Sequence, residues 1–441
     1  MEEYDIAILG AGVIGSSIAY IISSFTGLKI VVLEKELEPA VHSSSRNTGV
    51  IHRPFYLDPS RKRTFAISSQ ISYSMWKELA VNKKLPWKQN GTLEVALKND
   101  DLKTLEKYLK YSERNGMEEH EYSILDHKEI RSIEKGITSE YAFLSRTDTN
   151  VSFGQFTRTI FQLASEYGIK ALFGVTVTQI DDKEGILLFY DNEGKERALS
   201  AKIVLNVSGG EALRQAKKCG LAKKYSILHF RGDYWKLGHK EMNDIKHNIY
   251  SVPRHLKYPF LDPHFIIRPN GEKEIGPNAH LVNSPYAYPK GDPNKRSGES
   301  DLFSLPFMPK IKLFTNHEFV SLAFNEWKSS MYRSEMIKRV KNFIPEINEA
   351  MIIGRGLSGI RHSLIDNNGF VPEAIIEKGE RSLHVLNFNS PGATGSPAYA
   401  IFLYSEIKKM GLLPEEKCNL NLSNNNHIWY EGVKRASEVF G

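Results

Sequence analysis

The sequence predicts an α/β protein: a doubly wound, nucleotide-binding unit interleaved with an α+β unit on a mixed or antiparallel sheet. Three features of the chain predict it. An apolar strand runs into a G-x-G-x-x-G turn and a helix between Tyr4 and Tyr20, and a second apolar strand ends on Glu34. Two later apolar strands, at 202–206 and 384–387, end in glycine-bearing turns. Between 226 and 345 the pattern changes to short strands rich in aromatic and charged residues.

Ile6–Leu9 is a short apolar run that suits a strand buried on both faces. Gly10 permits the tight turn, Gly12 lets a pyrophosphate approach the backbone, and Gly15 lets the helix opened by Val13 and Ile14 pack on its strand. The helix N-terminus offers N–H groups and partial positive charge to phosphates. Glu34, with Lys35 beside it, follows at the spacing of a ribose-binding carboxylate in a Rossmann-like unit. A glycine-rich turn without a ligand is the plainer alternative. The polar stretch Val41–Arg53 then offers Ser43, Ser44, Ser45, Arg46 and Asn47 as donors that continue the anion site. An ordinary Ser-rich loop fits the same composition.

Helices are expected at Lys62–Leu79, Asp100–Gly116, Leu125–Ile133 (with Asp126 as N-cap) and Ser152–Tyr167. Strands are expected within Pro86–Leu97, at Ala171–Ile180 and in a hairpin around Asp191–Gly194. Ser208 and Gly209 end the 202–206 strand and suggest a second close backbone approach to the nucleotide, or a plain turn. Pro269-Asn270-Gly271 marks a hairpin. Residues 283–310 read as a Pro- and Ser-rich loop or lid, and Glu335–Phe343 as a helix. Ile353–Ile360 leads to Arg361, and the strand at His384 leads through a Gly-rich turn to a helix at Ala398–Met410. The expected division is 1–80, 150–225 and 346–412 for the nucleotide unit, 81–149 and 226–345 for the substrate unit, and a polar tail over 413–441.

The 441 residues suffice for two or three domains. A net charge of +6 without a dense basic block argues against nucleic acid as partner. Cys219 and Cys418 show neither disulfide nor metal spacing, which fits a reducing, cytoplasmic setting. Glu2, Glu3 and Asp5 stand where a signal peptide carries positive charge. With no apolar run of spanning length, membrane contact is expected to be at most peripheral, at the inner face.

The N-terminal fingerprint, the segment near Ser208, Gly359-Ile-Arg361 and Pro391-Gly-Ala-Thr394 together resemble the flavin oxidoreductases related to D-amino-acid oxidase. Within that superfamily, further blocks resemble the L-2-hydroxyglutarate dehydrogenases and oxidases. They are Arg46–His52, Phe230–Tyr234, Tyr250–Pro253, Pro259–Leu261, His264, Gly271–Ala279 and His384–Asn387. The chain departs from that pattern at Arg46, Arg53-Pro54, Val207 and Ile266, which leaves the exact 2-hydroxy acid open.

The resemblance implies FAD, a small anionic substrate and an electron acceptor (oxygen, quinone or a carrier protein). It implies cofactor contacts from Gly10, Gly12, Val13, Ile14, Gly15, Glu34, Lys35, Ser44, Ser45, Arg46, Thr48, Gly49, Val177, Ser208, Gly209, Arg361, Gly392, Ala393 and Thr394. Oxidation of a 2-hydroxy acid such as L-2-hydroxyglutarate requires hydride transfer to flavin N5 and a base for the hydroxyl proton. Histidine suits that base, with His52 first and His264 second. A forked donor suits the carboxylate, hence Arg361, with Arg231, Tyr234, Asn278 and Asn387 as further substrate-binding candidates. An amino-acid or amine oxidase and a glycerol-3-phosphate dehydrogenase remain alternatives. From another class, so do a nicotinamide enzyme and a non-catalytic nucleotide-binding protein.

Overall fold

A computed structural model describes residues 1–238, 240, 242–255, 257–258, 262–296, 300–423 and 425–441. Pro259–Leu261 of the resemblance, residues 297–299 of the expected loop and Asn424 of the expected tail lie outside the described residues.

Two large sheets organise the chain. The first has eight strands and is seeded by Glu2–Leu9, where Ile6, Ala7 and Ile8 are completely buried. Ile30–Glu34 pairs with it in parallel on one side and Glu196–Asn206 on the other. Lys170–Phe173 and Ser382–Leu386 extend the parallel set outward. Because the chain leaves the central strand to both sides, a crevice opens just beyond Leu9, Leu33 and Asn206. Open parallel sheets bind ligands at such a switch point. Helices Val13–Phe25, Phe153–Glu166 and Gly392–Lys408 pack together over one face.

The second sheet has ten strands and is mixed. Ser226–Leu237 pairs antiparallel with Ile352–Asp366 over most of its length, and His264–Ile267 forms a hairpin with Lys273–Gly276. Asn248–Ser251 runs parallel to Thr92–Val95. Its core packs Leu93, Phe265 and Ile275 against Met336 and Val340 of helix Arg333–Val340. The predicted α/β class, with a mixed second sheet, is the observed one. A two-stranded ribbon, Val50–Ile51 against Thr149–Asn150, stands apart from both sheets.

Several boundaries differ from the expectation for local reasons. The stretch 171–180 is two strands, broken at Gly174, whose φ of +71° turns the chain out of the parallel sheet into a hairpin. Residues 196–206 form one continuous strand instead of a hairpin arm followed by a separate strand. The helix expected from Ala398 begins instead at Gly392 and carries Pro397 inside it, where the proline removes one intrahelical hydrogen bond. Strand Ile352–Asp366, expected with the nucleotide unit, belongs to the second sheet. Most of 308–331 is helical, as Met308–Phe314 and His317–Met331. The expected polar tail contains helix Tyr430–Phe440, fixed by completely buried Trp429, whose indole N–H donates to the Met75 carbonyl at 2.6 Å.

Candidate active site

A cavity of about 610 Å³ occupies the crevice and is lined from both sheets, from Glu34 and Val177 to His52 and Arg361. At the Glu34 end the local sequence dictates close packing. Gly10 turns with a φ of +104°, and a methyl group at Gly15 would stand 1.9 Å from the Gly10 carbonyl oxygen. A methyl at Gly12 would meet the Ser44 hydroxyl at 3.0 Å. The backbone therefore leaves a cradle that side chains would fill. Ser44 Oγ accepts from Val13 N at 2.9 Å and ties the serine loop to the helix N-terminus. Glu34 accepts from the backbone N–H groups of Ala11 (2.7 Å) and Glu36 (2.9 Å), which fixes its carboxylate at the cavity wall. Lys35 reaches over the Tyr286 ring at 3.2 Å, and burial pulls its ammonium down to about 8. A glycine cradle, an anchored carboxylate and helix N-termini are the donor set that FAD requires, so the residues fit it.

At the far end the ribbon decides the geometry. Its register pairs Ile51 with Thr149, so the next residues outward, His52 and Asp148, face each other. His52 Nδ1 lies 2.7 Å from Asp148 Oδ2. Buried Asp148 also accepts from Arg53 N at 2.9 Å and Ser145 Oγ at 2.7 Å. The carboxylate thus holds the proton on Nδ1 and leaves Nε2 as an acceptor, 3.4 Å from the Tyr250 hydroxyl. Tyr56 and Tyr250 present their rings edge-on to the imidazole, at 87° and 83°, and fix its plane. Burial raises both tyrosines well above their ordinary values, so they stay neutral donors. His52 N donates to Thr394 Oγ1 at 3.3 Å, which sets the imidazole beside the N-terminus of helix Gly392–Lys408. Half-buried Arg361 lines the same cavity from the second sheet, its guanidinium lowered by burial.

Most of the residues singled out from sequence meet at this cavity: Gly10, Gly12, Val13, Ile14, Glu34, Lys35, Ser44, Arg46, Thr48, Gly49, His52, Val177, Ser208, Gly209, Tyr234, Asn278, Arg361, Gly392, Ala393 and Thr394. Arg46, however, forks onto Asp292 at 2.7 and 3.0 Å and lies over the Tyr288 ring. Five residues are not brought to the cavity wall. Gly15 is packed behind it. Ser45 Oγ donates to the Ala40 carbonyl. Arg231 pairs with Asp233 at 3.0 Å inside its own sheet. Asn387 supports backbone, accepting from Leu364 N and donating to the Val371 and Glu373 carbonyls. His264 sits behind the tyrosines, stacked on Tyr250 at 4.1 Å and 3.3 Å from the Tyr234 hydroxyl. Burial drives its imidazole down to about 3, so it stays neutral and braces the wall. Tyr56 and Asp148 escaped the sequence reading. The signal for Asp148 was a ribbon pairing across 96 residues, which no local pattern announces.

The fold and the cavity define a flavin-dependent redox protein, and the comparisons with known proteins agree. Residues 5–403 match the family model described as FAD dependent oxidoreductase (DAO), so the chain belongs to that family. FAD is its cofactor. It is 29% identical over 421 residues to the mitochondrial L-2-hydroxyglutarate dehydrogenase of Caenorhabditis briggsae, covering 92% of this chain and 93% of that one. It is 30% identical over 425 residues to the enzyme of the same name from Dictyostelium discoideum, covering 90% and 91%. Among solved structures, dithionite-reduced L-α-glycerophosphate oxidase from Mycoplasma pneumoniae with FAD bound superposes with a TM-score of 0.71 at 20% identity. That match covers 96% of this chain and 98% of the other. It shows the fold.

Proposed function

We propose that this chain oxidises L-2-hydroxyglutarate to 2-oxoglutarate; its relatives are named as L-2-hydroxyglutarate dehydrogenases. One observation carries the reading: an Asp148-held imidazole and an arginine face one cavity that also holds the flavin cradle. When bound, FAD supplies the two-electron acceptor. His52 Nε2 takes the proton of the substrate hydroxyl, and Asp148 stabilises the imidazolium that results. Arg361 binds a substrate carboxylate through its fork, and the neutral Tyr234 hydroxyl orients the substrate while Tyr56 and Tyr250 hold the imidazole plane. The N-terminus of Gly392–Lys408 stabilises negative charge at its end of the cavity. Gly10, Gly12, Val13, Glu34 and Ser44 hold the cofactor's ribose and pyrophosphate. The nucleotide unit then comprises the segments of the eight-stranded sheet with their helices, and the ten-stranded sheet supplies the substrate wall.

An amino-acid or amine oxidase is the second reading. It needs no strong base for a hydroxyl proton, so the His52–Asp148 pair speaks against it. The test is an anaerobic absorbance spectrum of the purified protein with 2-hydroxy acids, amino acids and glycerol 3-phosphate added singly. Bleaching by L-2-hydroxyglutarate and not by amino acids is the expected result. Bleaching by an amino acid alone would transfer the assignment to the second reading.

A further inference from the structure

Arg53 follows His52 in the chain but takes no part in the cavity wall. Its side chain is buried between helix Arg63–Lys83 and the short turn Glu119–Glu121. The guanidinium donates to Gln70 Oε1 at 2.9 Å and to Glu121 Oε2 at 3.0 Å, and it lies 4.3 Å from the centre of the Tyr73 ring. Burial lowers it from its ordinary value while the Glu121 carboxylate opposes that, and an arginine keeps its charge at any working pH.

Its partners reach on to the turn that carries Asp148. Glu121 Oε1 accepts from Thr147 Oγ1 at 3.0 Å, and the Tyr73 hydroxyl lies 3.5 Å from Thr149 Oγ1. The Glu121 carbonyl accepts from Arg146 N at 2.8 Å. The Arg53 backbone N–H meanwhile holds Asp148 Oδ1 at 2.9 Å. One arginine thus braces residues on either side of Asp148 and the carboxylate itself. Buried ion pairs add little net stability over apolar side chains of the same volume, so stability alone does not account for this one.

In the low dielectric behind Asp148, the Arg53 and Glu121 charges also act on the imidazole, with opposite sign, and their pairing keeps the sum near zero. The other ionisable groups facing His52 and Asp148 leave that balance alone. Glu94 of strand Thr92–Val95 is pushed by burial up to about 8, and Tyr56, Tyr73, Tyr250 and His264 stay neutral. Exposed Glu118 meets water, and Arg268 and Arg361 approach from the second sheet.

We propose that the Arg53–Glu121 pair is a positioning device for the base: it holds the Asp148 carboxylate against His52 and balances the charge behind it. The inference rests on His52 being the base of the proposed reaction.

The test is the rate of anaerobic flavin reduction across about pH 5–10, with whichever substrate bleaches the flavin. In the parent the rate falls on the acidic limb as the base is protonated. Glu121→Gln keeps an acceptor for Arg53 but removes the balancing charge. The limb should move to lower pH by about half a unit to one unit, and the plateau should drop about threefold as the base weakens. Arg53→Met leaves the opposite charge and should move the limb to higher pH. The two changes together should return it to the parent's position. Thr147→Val cuts the link to the Asp148 turn without altering a charge, and should lower the plateau about threefold or more with the limb in place. FAD absorbance and thermal melts are read on each variant.

A limb that stays put in both single variants, or moves the same way in both, overturns the proposal, since the pair would then serve the fold alone. If a single variant fails to fold, Thr147→Val still decides: a rate equal to the parent's overturns the proposal. A parent profile without an acidic limb overturns the reading of His52 as base, and the inference with it. A parent limb indifferent to Glu121→Gln overturns the inference alone.

Discussion

At the scale of single residues, the imidazole at the cavity is set by what lies behind it. Asp148 touches no cavity space and acts through His52, so it is a positioning residue. Asp148→Asn should lower the rate of anaerobic flavin reduction about 10²–10⁴-fold, with FAD content intact and KM little changed. His52→Ala should give a loss of the same order. A parallel rise in KM would mean that the pair serves binding instead. A second buried carboxyl, Glu94, accepts from the Tyr108 hydroxyl at 3.1 Å, and burial pushes it up to about 8. Its folded value lies above its unfolded value of 4.5. The contribution to stability is therefore complete below pH 4.5 and is lost as pH rises towards 8, a cost on the order of 3 kcal/mol near neutral pH. Glu94→Gln keeps an acceptor for Tyr108. It should raise the melting temperature near neutral pH and leave it unchanged near pH 4.5, read from thermal melts across that range.

At the scale of elements, the first strand, turn and helix were legible because every requirement was local. Apolar run, glycine spacing and acidic strand end fall within Tyr4–Glu34, and the structure places them as the spacing implies. Gly15 is the tightest point. Gly15→Ala should cost about 1–3 kcal/mol or more through overpacking against the Gly10 carbonyl, and should purify with less flavin. An unchanged flavin absorbance and melt would show that helix and strand can part without disturbing the cradle. The elements that escaped sequence reading had non-local or inverted causes. His52 meets Asp148 only because a two-residue ribbon joins distant segments. Helix His317–Met331 escaped because its apolar stripe faces outward, so its polar face fills the place of a core face. The C-terminal helix escaped because a polar stretch precedes its buried anchors, Trp429, Val433 and Ala436.

At the scale of the molecule, the two sheets hold one cavity by interlocking. A methyl at Gly359 of the second sheet would stand 1.9 Å from the Arg46 carbonyl oxygen. Arg268, paired with Glu274, donates to the carbonyls of Asn47 (2.9 Å) and Thr48 (2.7 Å) and clamps the serine-rich loop to the second sheet. No sequence pattern announces this seam, because backbone carbonyls carry no side-chain signature. The interleaving also sets a timetable for synthesis. The phosphate turn leaves the ribosome long before the strand and segment that complete the cavity. The strand that flanks Glu196–Asn206, and the 388–394 segment of the cavity wall, are translated only after the other strands of the parallel set. A nascent chain shorter than that holds the turn without its opposite wall. Flavin capture therefore belongs to the finished polypeptide, and a premature stop ahead of Gly392 yields a colourless product whatever else of it folds.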